Sequence, residues 1–345
     1  MSMNRFLFLL RCLRFDDIRD RPSRRDVDKL ASIREFFGNF VTNCQKAYTL
    51  GEYVIIDEKL ESFRGRCSFK QNMPNKPAKY GIKIFALVDA RVFYTWSMEI
   101  YAGKQPDGPF QVEFGASEVV KRLIRPLYNS GRNLTVDNWY MGFELSQDLL
   151  KKKITIVGTM RKNEREIPPE FLAEKREVYS SIFGFQKEAT LVSYVPKKNK
   201  SVILLSTMHS GDQIDESTGE SKKPEIITLY NMTKGAVDVV DEMAAAYSTA
   251  RVARRWPMVI FFSVLNVAAI NARIILLSKK ELPTEYHTRR TFLKALGMQL
   301  IENVQNERRR ASVVPDSRQT LTTDEHVNNE PQIPACSDLS ADTEL

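Results

Sequence analysis

Apolar residues in this chain recur with two different periods, and the switch between them divides it into regions. Over residues 1–50 the period is helical, with Leu30, Ile33, Phe36, Phe37, Phe40 and Val41 on one face and Asp26 or Asp28 positioned to start the helix. The charged run 19–25 contains Pro22 and reads as a loop. From residue 52 the text turns β-branched and aromatic. A strand over 53–56 ends on Asp57, and strands over 79–88 and 92–101, joined by Asp89-Ala90-Arg91, complete an antiparallel meander. Ser117 caps a predicted helix that runs to Tyr128, with Gly131 just past its end. A strand over 133–136 ends on Asp137, a helix follows over 142–151, and another strand over 154–158. This order predicts a mixed α/β fold.

After Pro168-Pro169 the pattern predicts a β-rich insertion, with strands over 190–196, 202–207 and 226–230 around a turn-rich stretch at 210–224. Helix resumes from Thr233 to about Tyr247. Trp256-Pro257 opens a long apolar helix, proline being favoured at a helix start. The run 257–277 is about long enough to cross a bilayer, but Asn266, Asn271 and Arg273 interrupt it. A buried core helix is therefore expected, and no membrane partner. A basic amphipathic helix is predicted over 284–310.

Hydrophobic content of 43% and charged content of 27% exclude wholesale disorder. The charge is unevenly spread. Residues 311–345 carry −6, which leaves +14 on residues 1–310 against +8 for the whole chain. So basic a body favours a polyanionic partner, and the acidic, polar tail reads as disordered. Cys12, Cys44, Cys67 and Cys336 form no C-x-x-C pair and only three histidines exist, so reduced intracellular thiols are expected rather than disulfides or a zinc site. The apolar run 6–10 is broken by Arg11 and Arg14 and lacks a cleavage site, so it reads poorly as a signal peptide. Phosphate-binding Gly-rich loops, a G-x-S-x-G elbow and H-E-x-x-H are absent from the sequence, leaving P-loop and serine-hydrolase chemistry unsupported.

Four acids share a suggestive placement. Asp57 and Asp137 stand at the carboxyl ends of apolar strands, where open α/β sheets gather functional groups. Asp238 and Asp241, three apart near a helix start, lie on one face. Together they would suit Mg²⁺ or Mn²⁺ and two-ion phosphodiester chemistry. Taken singly, Asp57 or Asp137 reads as a turn former or helix cap, and Asp238 as an acid complementing the helix dipole. Arg64, Arg66, Lys76, Lys79 and Lys83 could form a cationic rim for phosphates or a solvated turn. Trp139, and Trp256 after Arg254-Arg255, could stack on a base or pack the core.

Several ordered blocks resemble the piggyBac-type transposases. Ile56-Asp57-Glu58-Lys59-Leu60, Phe63-Arg64-Gly65-Arg66-Cys67 and the stretch from Pro74-Asn75-Lys76 to Gly81-Ile82-Lys83 look like the family's first catalytic block. Thr135-Val136-Asp137-Asn138-Trp139-Tyr140 resembles the second, Thr155 to Asn163 the next element, and Asn231 to Asp241 the third. Arg254-Arg255-Trp256-Pro257 and the helix behind it are also similar, so the resemblance covers about residues 3–300.

The resemblance implies an RNase H-like core: a five-stranded mixed sheet flanked by helices, with a β-rich insertion. It implies a DDE/D transposase that excises its element from TTAA sites, closes a hairpin on the transposon end and rejoins it elsewhere. Asp57, Asp137 and Asp238 then correspond to the catalytic metal-binding triad, with Asp241 a further required acid. The implied cofactor is Mg²⁺ or Mn²⁺, and the implied substrate is double-stranded DNA rather than a small molecule. Arg64, Arg66, Lys76, Lys79, Lys83, Arg254, Arg255 and Trp256 are the expected DNA contacts, a homodimer the expected assembly and the nucleus the expected site. The expected organisation is a truncated helical dimerisation and DNA-binding region at 1–50, a catalytic core at 51–174 and 231–310 interrupted by the insertion at 175–230, and the tail at 311–345. The family's cysteine-rich zinc domain is not expected there, Cys336 being alone. The alternative expectation is a domesticated DNA-binding derivative without turnover.

Overall fold

The computed structural model of the chain describes residues 2–113, 115–172, 175–279, 283, 286 and 288–313. Three helices, α1 (Met3–Cys12), α2 (Arg21–Arg25) and α3 (Arg34–Ala47), precede the strands β1 (Tyr53–Ser62), β2 (Gln71–Asn72), β3 (Tyr80–Asp89) and β4 (Thr95–Ile100). Then follow α4 (Ala116–Ile124), β5 (Asn133–Val136), α5 (Phe143–Leu150), β6 (Thr155–Thr159), β7 (Ser181–Gln186), β8 (Ala189–Lys197) and β9 (Lys200–Ser206). Helices α6 (Glu225–Thr233), α7 (Ala236–Ala246), α8 (Trp256–Leu277) and α9 (Arg289–Val313) complete the order. Contacts divide the chain into two units, 1–289 and 290–345. The second is represented by helix α9, and the predicted disorder of the tail falls, from residue 314 on, outside the described residues.

The strands pair in a mixed order. β1 runs parallel to β5, and β5 parallel to β6, while β3 and β4 pair antiparallel on the other side of β1. The five strands β4-β3-β1-β5-β6 are the mixed sheet the resemblance implies. The β-rich segment continues the same sheet, because β9 pairs antiparallel with β6, followed by β8 and β7. Val54 and Ile56 point to one face, against Phe85, Leu87 and helices α4 and α5. Ile55 points to the other, against Ile84, Ala86, Val88 and helices α7 and α8. Such double-sided burial is what near-continuous apolar strands require.

Helix α8 is long and apolar enough to cross a membrane by length and composition. In the fold, its Ile260, Val264, Val267 and Ile270 lie in the core. The polar interruptions are satisfied there. Asn266 accepts from the Thr249 N–H (2.9 Å), and Asn271 both accepts from and donates to the Thr95 backbone (3.0 and 2.8 Å).

Four expectations are corrected. Residues 226–230 are not a strand but the first turns of α6. Short apolar runs fit either element, and here Pro224 and Glu225 start a helix that buries Ile226, Ile227 and Thr233. The stretch 19–25 contains α2, with Pro22 in its first turn. Neither Asp26 nor Asp28 starts the next helix, which begins at Arg34. Asp28 is instead buried, bonded to Arg34 (2.6 Å) and Gln105 (2.9 Å). Ser117 lies inside α4, whose cap is Gly115. Strand β7 has no counterpart in the sequence reading.

Candidate active site

The register places Asp57 and Asp137 side by side. The parallel ladder between β1 and β5 ends at Ile56 opposite Val136, so the next residue on each strand is an aspartate. Both point to the face shared with Ile55 and Thr135, because side chains alternate. β5 stops there because Asp137 turns the chain. Its carboxylate accepts the Trp139 N–H (2.8 Å), and its carbonyl accepts those of Tyr140 (3.3 Å) and Met141 (3.2 Å). β1 does not stop. It continues against β3 to Ser62, with Asp57 opposite Ala86, so Asp57 stands inside a strand rather than at its end as expected. Gly158 on β6 permits the close approach of β5: a Cβ there would stand 2.6 Å from the Val136 carbonyl oxygen.

The other two acids arrive on α7, which buries Val237, Val240 and Ala244 against the same face of the sheet. Asp241 lies along the edge of that buried face, toward β1, and Asp238, one turn earlier, is exposed. Each meets a lysine. Lys76, from the turn before β3, lies 3.0 Å from Asp238. Lys59, two residues after Asp57 on the same face of β1, lies 3.4 Å from Asp241 and 2.8 Å from Glu61. Glu61 in turn accepts from the Ser263 hydroxyl on α8 (2.6 Å). A cavity of about 600 Å³ opens beside Asp238, Asp241, Glu61 and Lys76.

Charge is poorly balanced among these acids. Burial, with Glu58 and Asp137 nearby, pushes the Asp57 carboxyl up to about 7. Burial raises Asp137 as well, again with Glu58 beside it. Asp241 is raised by burial and by Glu61 despite the opposing lysines. Burial alone would depress Lys59, yet Glu61 and Asp241 outweigh it and hold its ammonium above the ordinary value.

The opposite face of β1 carries a supporting cluster. Tyr140 donates to Glu58 (3.1 Å), and Lys83 lies 3.8 Å from the same carboxylate. The Lys83 ammonium sits over the rings of Phe85 (4.8 Å) and Trp139 (4.6 Å), which stack on each other. Lys83 and Trp139 are thus engaged within the protein.

Among the described residues, no three His, Cys, Asp or Glu side chains stand close enough together to hold a metal ion. The donor chemistry nevertheless fits a hard divalent cation. All four predicted donors are carboxylates, and Asp57 and Asp137, adjacent and desolvated, make no ion pair among the described residues.

The remaining predicted contacts divide. Arg66, Arg254, Arg255 and Trp256 line a cavity of about 590 Å³, joined by Arg14, Arg21, Arg25 and Lys29 from the N-terminal segment. Arg255 donates to the carbonyls of Leu10 (2.9 Å) and Leu13 (2.8 Å), and Trp256 packs edge-on against Phe69 (5.0 Å). Arg64 and Lys79 are exposed and do not line this cavity. Sequence reading missed Lys59, Glu61 and Tyr140, and the N-terminal share of the basic cavity. The alternation Asp57, Lys59, Glu61 along one strand face was the available signal for the first two.

Residues 1–273 match the family described as Transposase IS4. Among curated proteins, the chain is 21% identical to the human PiggyBac transposable element-derived protein 3 over 69% of its length, and 22% identical to the human PiggyBac transposable element-derived protein 2 over 78%. It spans 42% and 47% of those two proteins, less than half of each. Among solved structures, a piggyBac transposase in a synaptic complex with hairpin DNA superposes with a TM-score of 0.83 at 38% identity, covering 92% of this chain and 66% of that one.

Proposed function

Because the chain belongs to the piggyBac-type transposases of the Transposase IS4 family, we propose that it cuts double-stranded DNA and transfers the freed strand to TTAA sites. The observation that carries this reading is the paired placement of Asp57 and Asp137, one step beyond the last parallel pair of β1 and β5, with two further carboxylates on the facing helix α7. Asp57 and Asp137, with Asp238 and Asp241, would hold Mg²⁺ or Mn²⁺. When bound, the ion supplies Lewis acidity for attack on a phosphodiester.

The chain's own groups prepare that site. Desolvated Asp57 and Asp137 concentrate negative charge where a cation is needed. Lys59, held by Glu61, which the Ser263 hydroxyl holds in turn, orients Asp241. Arg66, Arg254, Arg14 and Arg25 neutralise the phosphates of the duplex. Action on chromosomal DNA requires residence in the nucleus, and transposition by two-ended cutting calls for a homodimer.

The test uses supercoiled plasmid bearing TTAA sites, with Mg²⁺ or Mn²⁺. Expected is metal-dependent nicking by the wild type and its loss, by about 10³-fold or more, in Asp137→Asn with unchanged circular dichroism. Undiminished cleavage by that variant overturns the assignment. A second reading, a DNA-binding derivative without turnover, draws on the lysine ties of Asp238 and Asp241. It predicts salt-sensitive binding and no nicking at any metal concentration.

A further inference from the structure

The two lysines at the acid site differ in a way that assigns them different jobs. Lys59 projects from the middle of a strand, its side chain is 2% exposed, and it touches two carboxylates. Its charge, itself buried, cannot leave without unpairing both half-buried carboxylates, Glu61 and Asp241. Lys76 projects from the turn 73–79, whose main chain is fixed by the Met73 N–H to Lys79 carbonyl bond (2.7 Å) and the Lys76 N–H to Met73 carbonyl bond (3.0 Å). Its side chain is 23% exposed, lines the open cavity, and makes one ion pair, with the exposed Asp238. A single partly exposed pair on a flexible four-carbon stem is readily exchanged.

We propose that Lys76 is a displaceable internal counter-cation: in the metal-free chain its ammonium holds the place among the acids that a divalent ion takes, and the two compete for Asp238. This rests on the functional reading above. It accounts for acids that share one face of the sheet yet form no three-ligand group among the described residues. Lys76 lines the same cavity as Asp238 and Asp241, and its charge also reaches Asp57. Withdrawal into the adjoining cavity would free Asp238 without moving the backbone of the turn.

The probe is terbium(III), titrated into the full chain and read by luminescence sensitised through Trp139 and Tyr140. Lys76→Met is expected to bind terbium about two- to fivefold more tightly, the equivalent of one partly exposed ion pair, while its metal-free form melts at a lower temperature than the wild type. In the wild type, Mg²⁺ is expected to raise the reactivity of Lys76 toward an amine-acylating reagent, read by mass spectrometry, without raising that of Lys59. Terbium binding that is unchanged or weaker in folded Lys76→Met overturns the proposal. So does Lys76 reactivity indifferent to Mg²⁺, which needs no variant. A wild type that binds no terbium fails earlier, and brings down the functional reading itself.

Discussion

The acid site and the basic cavity contain charges of opposite sign and are built in opposite ways. Asp57 and Asp137 are fixed by strand register, desolvated and one residue from the apolar core, so their geometry is as rigid as the sheet. The cations of the basic cavity come from three separate stretches, 14–29, residue 66 and 254–255, and several are exposed. Chemistry at a reacting phosphate needs placement to fractions of an ångström, which a sheet provides. Holding a duplex by its backbone needs only a positive surface that tolerates sliding. The comparison predicts that single changes in the first region act nearly all-or-none, whereas single changes in the second act gradually.

The largest expected effect is at Asp57. Asp57→Asn should abolish nicking, by about 10³-fold or more, and yet make the metal-free protein more stable at neutral pH. The folded carboxyl is raised from 3.8 to about 7. The stability it contributes is therefore fully present below about pH 4 and is lost as pH rises through about 7. Denaturant unfolding in EDTA should show the wild type weakening by about 2–3 kcal/mol between pH 5 and pH 8, and the variant losing most of that slope. A variant less stable than wild type at pH 8 would break the contrast, by showing that the acid is there for the fold.

Gly158 tests whether the rigidity is shared by the scaffold. Gly158→Ala forces a Cβ to 2.6 Å from the Val136 carbonyl, next to Asp137. A loss of about 1–3 kcal/mol in unfolding free energy is expected, with a fall in nicking beyond what stability explains. Nicking at the wild-type rate in the folded variant would mean that the spacing of β5 and β6 does not set the position of Asp137.

How much of this is readable in the sequence depends on the range of each contact. The apolar runs 53–56 and 133–136 announce the two parallel strands, and an acid after each announces the site. The continuation of β1 through Glu58-Lys59 is hidden, because charged residues ordinarily mark a strand's end. Here each is held by a partner that only the fold supplies: Tyr140 for the half-buried Glu58, Asp241 for the buried Lys59. The pairing of Lys76 with Asp238 bridges 162 positions, and no local pattern contains it. Helix α6 is misread for a different reason. Ile226-Ile227 is compatible with strand or helix until Thr233, one face along, meets the Thr135 hydroxyl (2.7 Å).

The smallest effects should come from the basic cavity, and their shape matters more than their size. Arg66 and Arg254 are exposed, and no ion pair engages them among the described residues, so replacing one removes a charge without stranding a partner. Arg66→Ala or Arg254→Ala should leave the folded stability within about 0.5 kcal/mol of wild type. Each should weaken DNA binding several-fold at low salt and reduce the slope of log affinity against log salt by about 1, equally for TTAA-bearing and unrelated duplexes. Filter binding or fluorescence anisotropy over a salt series reads both quantities. Arg255 is the internal control: its guanidinium is spent on the Leu10 and Leu13 carbonyls, so Arg255→Ala should cost stability first and alter the salt slope less. If instead Arg66→Ala reduced affinity for one sequence only, leaving the slope unchanged, the cavity would be reading bases, and its loose construction from three stretches would have to be as exactingly placed as the acid site.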